Sequence, residues 1–127
     1  MKNAMTSAKT IEPIQCHLWQ KSPLSKAELD PGGTFEILQE FRDDSHEMRR
    51  LLKFRECGQL YFYKFHEDIA WGEGDDQAYR TYIPIGYLDE ASELAARSAW
   101  DILKYYPKLQ WDSPAIRNKP EIYWIGK

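Results

Sequence analysis

TFEILQEFRDDSHEMRRLLKFRECGQLYFYKF, residues 34–65, is the stretch whose reading decides the fold. In its first part Phe35, Ile37 and Phe41 fall on one side and Glu36, Glu40 and Arg42 on the other, with Leu38 out of step. Such alternation marks a half-buried strand, because successive side chains point to opposite faces. Asp43, Asp44 and Ser45 are turn residues. From residue 48 the pattern resumes, with Met48, Leu52 and Phe54 opposed to Arg49, Leu51, Lys53 and Arg55. Cys57, Gly58 and Gln59 make the next turn, and residues 60–71 (LYFYKFHEDIAW) are dense in β-formers with aromatics on both faces. A helical reading of residues 35–55 competes, since Glu, Leu, Arg and Lys also favour helices. The aromatic and turn signals around them favour strands.

Working outward, residues 72–77 (GEGDDQ) form an acidic loop, and residues 78–88 (AYRTYIPIGYL) close the meander, Pro84 and Gly86 marking an edge or a bend. Asp89 is a suitable N-cap for a helix over about 90–106, with Glu90 and Glu93 in its first turn. Ala91, Leu94, Ala95, Ser98, Ile102 and Tyr105 recur along it as one stripe, and Pro107 ends it. Residues 108–118 read as loop and residues 121–125 (EIYWI) as a last strand. Towards the other end, Ile11, Ile14, Cys16, Leu18 and Trp19 suggest an edge strand interrupted by Pro13, and Ser25 with Glu28 has capping-box spacing. Residues 1–9 read as a frayed terminus and residues 10–127 as one domain. The expected class is α+β: an antiparallel four- to six-stranded meander over about 34–88 plus terminal strands, with one amphipathic helix on one face. The second face is then either open to water or covered by something else.

Composition narrows the functional classes. At 127 residues, with 43% apolar and 29% charged, the chain is long enough to bury a core and has an ordinary globular balance. Five Trp, eight Tyr and five Phe leave a small domain well supplied with large buried rings. A formal charge of −3 argues against a general nucleic-acid binder and suits a partner with a basic surface. Cys16 and Cys57 read as reduced thiols, although one bridge between them is compatible with export. No run approaches the roughly 18 apolar residues of a membrane span, and the N-terminus lacks a signal-peptide core, so a cytoplasmic setting without membrane contact is expected.

Five candidate sites emerge. Arg49, Lys53 and Arg55, with rings such as Tyr61 on the neighbouring strand, would suit single-stranded nucleic acid on an open sheet face; the alternative is a solvated face whose cations pair with Glu36 and Glu40. Glu67, Asp68, Glu73, Asp75 and Asp76, with Trp71 among them, would meet a basic protein surface, or simply keep a hairpin loop soluble. His66 and Glu67 are the candidates for acid–base catalysis, but adjacent strand residues point to opposite faces, which weakens them as a pair. Cys16, His17, His46 and Cys57 are zinc-ligand types without the local spacing that anchors zinc, so no metal or cofactor is expected. Finally, the aromatic surplus, which includes Tyr79, Trp100, Trp111 and Trp124, supplies core, pocket walls or interface anchors.

The leading expectation is a non-enzymatic macromolecule-binding protein, in its concrete form a small acidic inhibitor of the immunity-protein or antitoxin kind. The alternatives are a small-ligand pocket protein or enzyme with a His or Glu base, and a single-stranded nucleic-acid binder. Homodimerisation is compatible with all three.

Overall fold

The computed structural model describes residues 8–29, 33–44, 46–68, 77–113 and 120–127. Trp71, Glu73, Asp75 and Asp76, and most of the acidic loop with them, lie outside the described residues.

The meander forms as the alternation predicts. Strands β2 (Phe35–Asp43), β3 (Glu47–Phe54), β4 (Leu60–Asp68) and β5 (Gln77–Ile85) pair antiparallel with their sequence neighbours. Two further strands, β7 (Lys108–Ser113) and β8 (Glu121–Ile125), complete a six-stranded sheet in the order β2-β3-β4-β5-β7-β8. A separate parallel pair joins β1 (Ala8–Lys9) to β6 (Tyr105–Tyr106). The fold is therefore α+β around an antiparallel sheet.

Leu38, out of step in the sequence, sits at a register shift between Ile37 and Gln39, and a second shift lies between Glu40 and Arg42. An inserted residue turns the following side chains over. Phe41 accordingly leaves the side of Phe35 and meets Phe62 on the opposite face, ring centroids 6.3 Å apart.

Both faces of the sheet are covered. On one, Phe35, Leu52, Phe54, Tyr61, Tyr63, Tyr82 and Leu109 pack under Cys16, Leu18 and Leu29 of the N-terminal segment. Phe35 stacks on Tyr82 at 5.5 Å and meets Phe54 edge-on at 5.3 Å, geometries that contribute about 1 kcal/mol each beyond the area they bury. On the other face Leu51, Phe62, Ile83 and Ile85 pack against Ala91, Leu94 and Ile102 of the helices. The rings on both sides of β4 are the sequence trace of this double coverage: a strand buried on both faces loses its polar register.

Three local expectations change. The N-terminal segment is not an edge strand; Pro13 accepts from the Cys16 amide at 2.8 Å, and a short helix α1 (His17–Gln20) follows, then a 3-10 turn at Lys26–Leu29. The Ser25–Glu28 box is present, the Glu28 carboxylate accepting from the Ser25 amide at 2.7 Å. Residues 108–113 form a paired strand rather than a loop. The expected helix is two helices, α2 (Leu88–Ala95), capped at Tyr87, and α3 (Ala99–Ile102), and Tyr105 passes into β6. The carbonyls at the break are met from elsewhere in the chain. Arg49 of β3 reaches across, and its guanidinium donates to Ala95 O at 2.9 Å and Arg97 O at 2.6 Å. A cation is thereby placed at the helix C-terminus, where the dipole favours it.

Candidate functional site

α2 packs over β2–β5, and beyond its end the sheet face turns polar. The register puts Lys64, Thr81 and Gln110 side by side on β4, β5 and β7, and the next row holds His66, Tyr79 and Asp112. α3 stands beside these rows and contributes Ala99, Trp100 and Leu103, while Tyr123 and Ile125 of β8 close the far side. Between them lies a cleft of about 440 Å³, within the range of small-ligand and side-chain pockets.

The floor is a connected network. Thr81 Oγ1 donates to Gln110 Oε1 at 2.8 Å, Gln110 Nε2 donates to Asp112 Oδ1 at 2.8 Å, and the Tyr123 hydroxyl donates to Asp112 Oδ2 at 2.6 Å. Donation to the carboxylate holds the Tyr123 phenol up at about 12, so it is a fixed neutral donor at physiological pH. Lys108 donates to Leu103 O at 2.6 Å and lies 4.6 Å from the Tyr106 ring centre, tying β7 to the end of α3. Burial lowers the pKa of both Lys108 and Lys64, the Lys64 ammonium standing 3.7 Å from Glu47 Oε2. His66 stacks along Tyr79 with ring centres 6.3 Å apart.

Above this polar floor the rim is apolar. Trp100 is 75% exposed, more than any other large apolar side chain among the described residues, and Leu103 and Tyr123 are exposed beside it. The single turn that carries Trp100 is capped by Ser98, whose Oγ accepts from the Asp101 amide at 3.1 Å.

The candidates read from the sequence divide between the faces. His66 lines the cleft, whereas Glu67 points to the other side, opposite Ala78, and lies 3.5 Å from the His46 ring. The two do not share a site, as strand geometry requires. Arg49 is buried and engaged by Glu47 and the helix carbonyls, so it is structural and not a cation on an open face. Lys53 makes the cross-strand ion pair with Glu36 at 3.5 Å. Arg55 is exposed on the turn after β3, away from the cleft. Tyr61 is fully buried and its hydroxyl donates to Cys16 Sγ at 3.1 Å, which makes it a core residue rather than a stacking platform. Asp68 is the last residue of β4, paired with Gln77 across the hairpin. Of the zinc-type residues, His17 is bound by Glu28 at 2.8 Å while His46 faces Glu67, and no group of three potential ligands assembles among the described residues.

Sequence reasoning passed over Lys64, Lys108, Gln110, Asp112 and Tyr123, all in the cleft lining. Two signals were available. Trp100 falls off the apolar stripe of its helix, and Gln110 and Asp112 alternate with Leu109 and Trp111 in a strand-like pattern. Comparison with protein-family models, curated proteins and solved structures found no match.

Proposed function

We propose that this chain is a non-enzymatic binding protein that takes a protein partner at the α3 cleft, acting as a small acidic inhibitor of the immunity-protein or antitoxin kind. The observation that carries the reading is Trp100, 75% exposed on the rim of a preformed cleft. A large rigid ring left in water beside a concave surface is the usual anchor of a protein interface. Covering it contributes roughly 3 kcal/mol of gross hydrophobic stabilisation to the complex. Leu103 and Tyr123 extend the apolar rim, and the polar floor meets a partner's side-chain donors and acceptors.

Charge supports the same direction. The acidic residues Glu73, Asp75 and Asp76 fall in sequence between Asp68 and Gln77, the paired ends of β4 and β5, which lie two residues along their strands from the cleft residues His66 and Tyr79. Carboxylates so close in sequence to cleft residues favour capture of a basic surface. The floor groups favour binding over catalysis: they satisfy one another, and the Tyr123 phenol is held neutral. The reading takes the protein to be cytoplasmic, with both thiols reduced at rest.

The test is retention of a protein from the source cell by the immobilised chain, against Trp100→Ala and against Glu73, Asp75 and Asp76 changed to Lys. Loss in both variants supports the reading, and undiminished retention by both sinks it. A second reading, a small ligand seated in the cleft, is favoured by its volume of about 440 Å³ and by His66 in its lining. It predicts that a small molecule from a cell extract raises the Tm of the wild type but not of Gln110→Leu, with no protein retained.

A further inference from the structure

Two lysines in the floor of the cleft are buried without an anion of their own. Lys64 is 7% exposed and Lys108 4%, and both line the cleft that Trp100 and Tyr123 border. Strand register fixes their places. Lys64, Thr81 and Gln110 lie side by side on β4, β5 and β7, and Lys108 precedes Gln110 by two residues, so it faces the same way.

The groups around each lysine leave it short of negative charge. Lys64 Nζ stands 3.7 Å from Glu47 Oε2, past hydrogen-bonding range. That carboxylate is already gripped by Arg42 at 2.7 Å and by Arg49 at 2.8 Å. Lys108 Nζ meets a carbonyl, Leu103 O at 2.6 Å, and the Tyr106 ring rather than a carboxylate. An ammonium carries three donors, so both lysines keep donors to offer. Asp112, the carboxylate in the lining, is engaged on both oxygens, accepting from Gln110 at 2.8 Å and from Tyr123 at 2.6 Å. Two ammoniums against one carboxylate leave the lining one positive charge in excess.

We propose that the floor of this cleft binds a small organic monocarboxylate with a flat apolar body, the carboxylate seated on Lys64 and Lys108 and the body against Trp100 and Leu103. The proposal deepens the small-ligand reading of the cleft and rests on it. A single negative charge matches the excess, whereas a dianion such as a phosphate ester would set its second charge against Asp112. Hydrogen bonds from an ammonium to a carboxylate are short and strong. Burial alone disfavours the charge on both lysines, and an anion seated on them offsets that cost. The rim sets the shape of the rest of the ligand. Trp100, Leu103 and Tyr123 are exposed there, and a flat ring covers them at little cost in conformational freedom. A cleft of about 440 Å³ holds an acid of one or two rings.

The experiment titrates the full-length chain with 2-naphthoate and, in parallel, with 2-naphthamide, its uncharged amide of matched shape, reading Kd and site from backbone amide NMR shifts. The expected result is that naphthoate shifts the Thr81, Trp100 and Gln110 resonances and binds at least tenfold more tightly than naphthamide. Lys64→Met and Lys108→Met should each weaken naphthoate at least tenfold and leave naphthamide unchanged. Lys53→Met, at a lysine paired with Glu36 and outside the cleft lining, should change neither. The comparison of the two probes on the wild type needs no variant, so it decides the matter even where a lysine variant fails to fold. Equal affinities for the two probes overturn the carboxylate assignment and leave the small-ligand reading standing. Naphthoate that does not bind, or that shifts only resonances outside the cleft, overturns the proposal as well. The small-ligand reading falls separately, when no component of a cell extract raises the Tm of the wild type.

Discussion

Arg49 joins the sheet to the end of α2 and to the connection that leads into α3. Its Nε and Nη2 both lie 2.8 Å from Glu47 Oε2, and its Nη1 donates to the carbonyls of Ala95 and Arg97. The Glu47 carboxylate is pushed up by burial but is lowered on balance by Arg49, Lys64 and Arg42. Changing Arg49 to Ala strips the carbonyls of Ala95 and Arg97 and the main partner of a half-buried carboxylate, and should cost about 3 kcal/mol in urea unfolding. Arg49→Lys should recover little of this, because one ammonium cannot reproduce the planar fork; a loss below about 1 kcal/mol for Arg49→Ala would contradict the assignment. At Glu28 the prediction concerns pH. Lys21 first, then the Ser25 amide and His17, hold this carboxyl down at about 2 in the folded chain. A depressed carboxyl contributes stability that is complete above its unfolded pKa of about 4.3 and is lost as pH falls towards the folded value. Glu28→Gln should therefore flatten the dependence of Tm on pH between about 4.5 and 2 while changing little below that window; an unchanged slope would contradict it.

At the scale of elements, the strands of residues 34–88 were legible because each records its environment in its own sequence, β2 and β3 in their alternation and β4 in rings on both faces. Even Leu38, an apparent irregularity, marks a real register shift. The helix break was not legible from the apolar stripe, because the cation that meets its carbonyls, Arg49, lies 46 and 48 residues away from them in sequence. Ser98, placed by its spacing on a buried stripe, instead caps α3 in solvent. β7 escaped notice because half of its residues are polar and face the cleft rather than the core. Ser98→Ala should cost about 1 kcal/mol and loosen the turn that carries Trp100. The checks are faster hydrogen exchange at the Asp101 amide and lower tryptophan anisotropy. Unchanged exchange there would show that the cap is not what holds α3.

For the whole molecule, the three layers explain why the site was harder to read than the fold. The sequence divides sheet residues into inside and outside, yet both sides of this sheet are inside over most of its area. The functional surface is the remainder, where the helices end and a polar floor meets an exposed ring. Among the described residues no helix is long and apolar enough to cross a membrane. Charge should govern association with a basic partner: changing Glu73, Asp75 and Asp76 to Lys should slow the association rate at least tenfold at low salt and leave dissociation nearly unchanged, and an effect confined to dissociation would contradict steering. The central claim is that Trp100 anchors a protein in the α3 cleft. Its most direct test is affinity isolation from the source cell with three immobilised proteins: wild type, Trp100→Ala, and Ile14→Ala as an exposed apolar control on the N-terminal segment, all with matching Tm. The account predicts one protein retained equally by wild type and Ile14→Ala and reduced at least tenfold with Trp100→Ala. Equal retention by all three, or no protein retained by the wild type, would contradict it.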